Sequence, residues 1–154
     1  FWFRFIHPNR SQLERGGAQL ILEQAVIPNL DHFSSPAFEE ICQQYFWRQG
    51  LSGKLTFLPV SVGRWWNANE EIDLLVVGKN EAILVECKWS NQAVGINILA
   101  DLERKAAVVQ PELSERKLRY GLCSRSGFTP QLMKAAAERD DTMLVDLPEI
   151  LGQT

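Results

Sequence analysis

The sequence predicts an α/β domain in which a mixed β-sheet is flanked by helices. Two apolar segments, 72–77 and 82–89, are joined by a short turn at 78–80 that contains Gly and Asn, and this pattern is typical of a β-hairpin. After the hairpin, segments with helical spacing alternate with short apolar strands. A hairpin followed by alternating helices and strands predicts a sheet with antiparallel and parallel pairs, covered by helices.

The length and composition of the chain limit the classes of protein to which it can belong. Of its 154 residues, 45% are hydrophobic and 23% are charged, so the chain can bury the core of one domain and is not expected to be disordered. The net charge is −3, so a nucleic-acid partner would need a local basic patch. Because there is no apolar run that could cross a bilayer and no secretory leader, we expect a cytoplasmic protein without a membrane partner.

Three widely spaced cysteines, Cys42, Cys87 and Cys123, give an odd count. Cys42 and Cys87 lie in apolar segments, where a thiol behaves as a small hydrophobic side chain. We therefore interpret them as buried, reduced thiols rather than as disulfide partners or zinc ligands.

Residues 1–33 differ in character from the rest of the chain. The first residue is not Met, and aromatic residues alternate over 1–6, which predicts one face that packs on another surface. This pattern indicates a fragment of a longer polypeptide. We divide the chain into an N-terminal connector over 1–33 and a main domain over 34–154.

Short elements are expected inside the connector. Ser11 is placed to cap a helix over 12–15, and the two glycines at 16–17 would end it. The segment 18–27 fits either a short helix or an extended strand, and the sequence does not decide between them.

The main domain opens with a helix. The segment 34–36, Ser-Ser-Pro, is a start signal because proline is tolerated in the first turn, and Glu39 and Glu40 lie near the positive end of the helix dipole. Gly50 is expected to end the helix. The residues between them form one apolar stripe: Ala37, Phe38, Ile41, Cys42, Tyr45 and Phe46.

A first core strand is expected over 55–62, with Pro59 favouring an edge or a bulge. Arg64, Trp65 and Trp66 follow it. Because neighbouring side chains on a strand point to opposite faces, the two tryptophans cannot both enter one core. One is expected to be exposed, where it could stack on a nucleobase or on the Arg64 guanidinium, or pack against the N-terminal aromatic segment or another domain.

The hairpin carries ionisable residues where a buried strand usually has none. Asp73 lies in its first strand, and Glu86 and Lys88 lie at the end of the second with Cys87 between them. Glu86 and Lys88 share a face because their separation is two, and antiparallel pairing would bring Asp73 beside Glu86. The alternative is a partly exposed ion pair between Glu86 and Lys88, with Asp73 in a turn.

Two converging carboxylates suit a hard divalent cation such as Mg²⁺ or Mn²⁺, which prefers oxygen ligands. Such an ion would polarise a phosphodiester and lower the pKa of a bound water. Lys88 would orient that water or stabilise charge in the transition state. The residues alone therefore favour a phosphodiester-cleaving site at the open end of the hairpin.

The rest of the chain completes the sheet and its helices. The expected elements are a helix over 95–109 with charged residues facing outward, a loop at Pro111, a strand over 117–124, a helix from Pro130 to Arg139 capped by Thr129, a strand over 143–147 and a terminal turn at Pro148. The sequence shows no internal repeat and no low-complexity segment.

Asp73 followed by Glu86-Cys87-Lys88 resembles the signature of the PD-(D/E)XK nuclease superfamily, which has a restriction-endonuclease-like core. The flanking motifs narrow the resemblance to the C-terminal region of archaeal and bacterial AAA-type ATPases known as domain of unknown function 234. These motifs are Phe1-Trp2-Phe3-Arg4-Phe5, Pro8-Asn9-Arg10-Ser11, Gly63-Arg64-Trp65-Trp66 and Glu71-Ile72-Asp73.

The resemblance implies a nuclease domain that cuts DNA with Mg²⁺ or Mn²⁺. It implies metal ligation and catalysis by Asp73, Glu86 and Glu39, with Glu40 as the neighbour that could be confused with Glu39, and a catalytic role for Lys88. It also places a polar helper on the helix after the hairpin, where Lys105 lies.

Candidate nucleic-acid contacts are Arg64, Lys54 and Lys105. The implied partners are DNA and an upstream ATPase region of the same polypeptide. The ATP site is not expected in this chain, because the sequence has no Gly-x-x-x-x-Gly-Lys-Ser/Thr motif.

Two functions stay open at this point. The first is a metal-dependent nuclease, which could act on RNA as well as DNA because nothing in the sequence reads a 2′-hydroxyl. The second is a non-catalytic DNA-binding or regulatory module of the ATPase, which the acidic balance favours. The N-terminal aromatic residues are a candidate homo-oligomer surface under either function.

Overall fold

The structure, a computed structural model, describes residues 1–153 and divides the chain into two compact units, Phe1–Pro36 and Ala37–Thr154. Apart from Phe1 and the turn over 15–17, the first unit is helical. Helices α1 (Arg10–Glu14) and α2 (Ala18–Ile21) are surrounded by short helical turns over Trp2–Ile6, His7–Asn9, Leu22–Val26 and Ile27–Asn29.

The core of the first unit is small. Phe5, Ile21 and Val26 are its buried residues, and the Phe5 ring lies 5.4 Å from the Phe33 ring. The prediction that alternate aromatic residues share one packing face is wrong, because residues two apart do not share a face of a helical turn. Phe5 is buried, whereas Phe3 is 83% exposed.

The second unit contains five strands and the larger helices. Helix α3 (Leu30–Leu51) begins before the boundary between the units and runs into the second. The strands are β1 (Ser61–Trp66), β2 (Glu71–Val77), β3 (Glu81–Lys88), β4 (Lys117–Ser124) and β5 (Thr142–Asp146). The remaining helices are α4 (Ile96–Leu113), α5 (Pro130–Ala137) and α6 (Leu147–Ile150).

The strands form one sheet in the order β1-β2-β3-β4-β5. The first three strands pair antiparallel, whereas β4 runs parallel to β3 and β5 runs parallel to β4. The α/β class predicted from the sequence, a mixed sheet flanked by helices, is confirmed. The order of elements from α3 to β5 is also the predicted one: helix, three strands, helix, strand, helix, strand.

A separate buried cluster lies on each face of the sheet. On one face, Phe38 and Phe46 of α3 pack with residues such as Val85 of β3. On the other face, Leu99 and Leu102 of α4 pack with residues that include Leu75, Leu84 and Leu122. Because side chains alternate along β3, the α4 face receives Glu86 and Lys88 and the α3 face receives Cys87.

Two helices are longer than predicted. Helix α3 begins at Leu30 rather than at the Ser34–Pro36 signal, and Pro36 lies inside it. The hydroxyl of Ser35 donates to the Asp31 carbonyl, so a side-chain hydrogen bond is added to the helical turn just before the proline. Helix α4 continues through Pro111, where a loop was expected, because the buried Leu113 extends its apolar stripe by one more turn.

The first core strand also differs from its prediction over 55–62. Strand β1 covers Ser61–Trp66, and most of the predicted segment forms a loop. Backbone amides of Lys54 and Leu55 donate to the Gln49 carbonyl at the end of α3, so this part of the chain completes the helix end instead of pairing. Pro59 has no N–H to contribute to a strand ladder.

The later predictions agree closely with the structure. Strand β4 has the predicted bounds, and Thr129 caps α5 by accepting a hydrogen bond from the Leu132 amide, with Pro130 as the first helical residue. Cys42 and Cys87 are buried free thiols, as expected, and Cys123 is one as well. Among residues 1–153, no helix has both the length and the apolar character required to cross a membrane.

Candidate active site

Asp73 lies at a β-bulge between β1 and β2. Gly63 pairs with Leu75 and Trp65 pairs with Ile72, so one residue of β1 opposes two residues of β2, one of which is Asp73. Ile72 and Leu75 belong to the same buried cluster although three positions separate them, which shows that the strand alternation is broken here. Bulges commonly redirect a side chain beside a functional site.

The bulge turns Asp73 toward the end of β3. Its Oδ2 atom accepts a hydrogen bond from the backbone N–H of Cys87 at 2.7 Å. Burial, followed by the negative charge of Glu86 and then of Glu39, raises the pKa of Asp73 to about 6, although the Cys87 hydrogen bond opposes this. The Asp73 carboxyl group is therefore close enough to the carboxylates of Glu86 and Glu39 for their charge to affect its pKa.

Glu86 is buried, with 7% of its surface exposed, and two lysines hold it. Lys88 Nζ lies 2.6 Å from Oε1, and Lys105 Nζ lies 3.2 Å from Oε2. Lys105 also lies 3.4 Å from Asp101, one helical turn earlier on α4. Burial acts to lower the pKa of Lys105, but Glu86 and Asp101 together hold that pKa above its ordinary value.

Glu39 reaches the same region from α3. It forms a close ion pair with Arg64, which also lies 3.2 Å from Glu71 on β2. The guanidinium of Arg64 also interacts with the charge of Asp73. The neighbouring Glu40 is exposed, which favours Glu39 over Glu40 as the carboxylate of the site.

Most of the predicted site residues therefore come together. Asp73, Glu86 and Lys88 meet at the open end of the β2–β3 hairpin, as the antiparallel pairing requires. Glu39 and Lys105 approach from the two helices that cover the sheet. Their roles in metal binding and catalysis stay predictions.

Lys54 is not brought to this region. It lies in the loop after α3, and Thr56 of the same loop donates a hydrogen bond to Glu81 at the start of β3. The five residue steps from Glu81 to Glu86 span roughly 16 Å of strand. Lys54 is thus near the opposite end of the sheet from Glu86.

Two features beside the site were missed from the sequence. A cavity of about 200 Å³ borders Lys88 and is lined by polar groups that include Gln92 and Asn97. The Arg125 guanidinium lies 4.6 Å from the centre of the Trp89 ring. The polar loop 90–92 after β3 was the available signal for the cavity, whereas Arg125 comes from a distant part of the chain.

A wider groove of about 520 Å³ lies beyond Arg64, lined by residues that include Trp66, Asn67 and Glu70. Trp66 is 67% exposed, whereas the Trp65 indole N–H donates to Glu112 at 2.8 Å. The prediction that one of the two tryptophans is exposed is confirmed.

The donor set fits a hard divalent cation. Carboxylate oxygens of Asp73 and Glu86 lie in one partly buried region, with Glu39 close enough to affect Asp73. A divalent cation would offset the mutual repulsion of these carboxylates. Both Glu86 oxygens are paired with lysines. At least one lysine would therefore have to move away from its Glu86 oxygen before an ion could bind there.

Comparisons with known proteins show which family the chain belongs to. Residues 2–106 match domain of unknown function 234, described as archaeal and bacterial proteins of unknown function. The chain is 31% identical over 113 residues to the uncharacterized protein MJECL04 of Methanocaldococcus jannaschii, and the match covers 71% of this chain. This chain spans only 25% of that relative's length.

The crystal structure of a repair endonuclease from Pyrococcus abyssi is similar to this chain with a TM-score of 0.49 and 14% sequence identity. The alignment covers 71% of this chain and 46% of that one. The family match extends over more than half of the sequence. The chain therefore belongs to the domain of unknown function 234 family of archaeal and bacterial proteins.

Proposed function

We propose that this domain is a metal-dependent nuclease that hydrolyses DNA phosphodiesters. One observation carries the proposal: Asp73 and Glu86, from neighbouring antiparallel strands, meet at a β-bulge, with Lys88 on Glu86. Burial and the charge of Glu86 raise the pKa of Asp73, and carboxyl groups perturbed in this way are concentrated at functional sites. This arrangement agrees with the PD-(D/E)XK resemblance of the sequence.

Each residue has a distinct role in the proposed reaction. Asp73 and Glu86 would hold Mg²⁺ or Mn²⁺, with Glu39 completing the set of carboxylates. When bound, the ion supplies Lewis acidity to the phosphodiester and a lower pKa for a bound water. Lys88, whose ammonium is already at the edge of the site, orients the attacking water or stabilises negative charge on the phosphate.

DNA would be held by local positive charge, since the net charge of −3 does not attract phosphate. Arg64 and Lys105 are the proposed phosphate contacts nearest the carboxylates, and each is already paired with acidic neighbours. Lys54 would contact DNA only if the duplex extended along the sheet to its other end. The exposed Trp66 offers an aromatic face beside Arg64.

The test measures metal binding and cleavage together. Mn²⁺ is titrated by calorimetry into the chain and into the Asp73→Ala, Glu86→Ala double variant, first alone and then with a DNA duplex. We expect binding that the double variant loses, and Mg²⁺-dependent cleavage that falls to background in the same variant. Glu40→Gln, an exposed carboxylate on the same helix, is the matched control and should keep both properties.

A second function is favoured by the ion pairs of the site. Glu39 is paired with Arg64, and Glu86 is paired with Lys88 and Lys105. Carboxylates that already have cationic partners do not need a metal ion to offset their charge, which supports a non-catalytic DNA-binding or regulatory module. If the calorimetric titration gives no Mn²⁺ binding even with duplex present, this second function replaces the nuclease.

We also propose that the domain works as part of a longer AAA-type ATPase. The support is the family resemblance, together with the fact that this chain spans a quarter of the length of its curated relative. A pull-down of the ATPase region with this domain tests the partnership. Association that survives replacement of Asp73, Glu86 and Lys88 by Ala would assign binding to a surface outside the carboxylate site.

A further inference from the structure

Three buried cysteines meet on the α3 face of the sheet. Cys42 lies on α3, Cys87 on β3 and Cys123 on β4, and their Sγ atoms all lie within 4.8 Å of one another. Cys87 and Cys123 are direct neighbours in the parallel pair of strands. Cys42 and Cys123 are fully buried, and Cys87 is 8% exposed.

The sulfur triangle has nearly the size of a metal site. If its sides were 4.8 Å, its centre would be at most about 2.8 Å from each Sγ, compared with a Zn–S bond of about 2.3 Å. An inward movement of about 0.5 Å or less for each thiol would therefore form three bonds, which small side-chain rotations can supply. The three ligands come from three different elements, so an ion would tie α3 to two strands of the sheet.

The chemistry of the ligands decides which ion would fit. The thiols are surrounded by apolar residues of the α3 cluster, among them Phe38, Phe46 and Val145. Thiolates select soft cations such as Zn²⁺ and Cu⁺ over Mg²⁺ or Mn²⁺. Three thiolates around Zn²⁺ leave a charge of −1, and around Cu⁺ a charge of −2, whereas three thiolates without an ion would leave −3 in an apolar site.

We propose that Cys42, Cys87 and Cys123 form a three-thiolate site for one soft d¹⁰ cation, Zn²⁺ or Cu⁺. Binding replaces up to three S–H protons, which pass to the solvent, with three metal–sulfur bonds. The wide spacing of the cysteines in sequence gave no metal-binding motif, and only the fold brings them together.

An ion at the three-cysteine site would also restrict the position of the carboxylate region, although none of the three thiols is a ligand there. Cys87 presents its side chain to the α3 face, while its backbone N–H donates to Asp73 and its two neighbours are Glu86 and Lys88. Fixing the Cys87 sulfur would therefore fix the donor that orients Asp73. Loss of the soft ion and loss of the hard-ion site are separable, because they depend on different ligands on opposite faces of β3.

The experiment uses Cd²⁺ as a spectroscopic probe for a d¹⁰ thiophile. The reduced chain is unfolded in urea, refolded with Cd²⁺ and freed of excess ion, since the folded thiols are buried. We expect one Cd²⁺ per chain, ultraviolet thiolate-to-metal charge-transfer absorption and a raised unfolding temperature. Parallel refolding with Zn²⁺ or with Cu⁺, followed by competition with a chromophoric chelator, identifies which ion is held more tightly.

Two sets of variants make the result decisive. Cys42→Ala and Cys123→Ala should each weaken Cd²⁺ binding at least about a hundredfold, because even outer-shell partners of a metal are worth 10–100-fold. The Asp73→Asn, Glu86→Gln double variant should keep the absorption unchanged. Far-ultraviolet circular dichroism identifies which variants fold. The proposal is overturned if the refolded chain holds no Cd²⁺, or if a folded Cys42→Ala variant binds it as tightly as the parent.

Discussion

The environment of the Asp73 carboxyl group disfavours its ionised form. Most of the group is removed from water, it faces the charge of Glu86, and it has one backbone hydrogen bond in return. These effects place its pKa near 6, above the value of 3.8 for a free aspartate. Near neutral pH the ionised form of Asp73 therefore opposes folding, and a cation or a proton would remove the opposition.

Replacing Asp73 by Asn should stabilise the ion-free domain at pH 8. The folded state binds the Asp73 proton more tightly than the unfolded state, so parental stability rises as pH falls from about 6 toward 3.8. Asn is neutral throughout, so its advantage should be on the order of 3 kcal/mol at pH 8 and should vanish as pH falls below 4. Urea unfolding at several pH values measures this difference.

An exposed aspartate provides the control for that measurement. The side chain of Asp140 is 92% exposed, and Asp140→Asn should change the free energy of unfolding by less than about 0.5 kcal/mol at every pH. A gain for Asp73→Asn that is the same at pH 5 and pH 8 would mean that burial of the charge is not its source.

Lys105 should contribute more to stability than Lys88, although both contact Glu86. The Lys105 side chain is 13% exposed and that of Lys88 is 37% exposed, so water screens the second pair more than the first. Lys105→Met should lower the free energy of unfolding by about 2–4 kcal/mol, because it leaves a buried carboxylate with one partner fewer. Lys88→Met should cost about 1 kcal/mol or less.

A double-mutant cycle separates this pair from packing. In a Glu86→Gln background, Lys105→Met should cost clearly less than in the parent, since the unpaired carboxylate is gone. Urea unfolding at pH 8 supplies all four free energies. Strict additivity of the two substitutions would show that Lys105 acts through its methylene chain or through Asp101 instead.

At the residue scale, the sequence revealed what lies on one hairpin. Asp73, Glu86 and Lys88 were predictable because a strand has a period of two and a short turn sets the pairing. The contact of Lys105 with Glu86 and the Cys42–Cys87–Cys123 cluster depend on how the helices pack against the sheet. No spacing in the chain encodes that placement.

At the scale of elements, Gly121 of β4 lies where a side chain would meet both the neighbouring strand β3 and helix α3. A Cβ atom at this position of β4 would lie 3.1 Å from Val85 and 3.4 Å from Phe46. Gly121→Ala should therefore crowd Val85 of β3 first and the Phe46 ring of α3 second, and lower the free energy of unfolding by about 1–3 kcal/mol. Gly63→Ala in β1 meets nothing within 4 Å and should be close to neutral.

Thermal unfolding of both variants tests this packing. The Gly121→Ala variant should melt several degrees below the parent, and the Gly63→Ala variant should melt within about 2 °C of it. Because α3 carries Glu39 and Cys42, the same substitution should also weaken any metal binding that depends on the helix. Equal melting temperatures for the two glycine variants would show that the neighbours of Gly121 can move aside without a loss of stability.

The element boundaries show where tertiary packing overrides local sequence signals such as proline. Pro36 was interpreted as part of a helix start and Pro111 as part of a loop, yet both lie inside helices, because apolar stripes with buried partners outweigh one missing N–H. The predicted strand over 55–62 has the composition of a strand, but it lies in a loop. Strand β4 was predicted with its true bounds.

At the scale of the whole molecule, each of the two units has its own core. The buried cluster of the first unit, Phe5, Ile21 and Val26, draws on residues 1–36 alone, and both clusters around the sheet draw on the second unit. A unit of 36 residues with three buried side chains is too small to be stable by itself. The second unit has the two covered sheet faces that a stable domain requires.

A chain that starts at Leu30 should therefore keep its fold, because this start preserves the whole of α3. We expect cooperative urea unfolding with a free energy within about 1 kcal/mol of the longer chain, and a slope with denaturant reduced only in proportion to the lost surface. Metal binding at Asp73 and Glu86 should be unchanged, since every carboxylate and cation of the site lies beyond residue 36. Non-cooperative unfolding of the shorter chain would assign residues 1–29 a share in the stability of the sheet, and they would then be part of the domain rather than a connector to it.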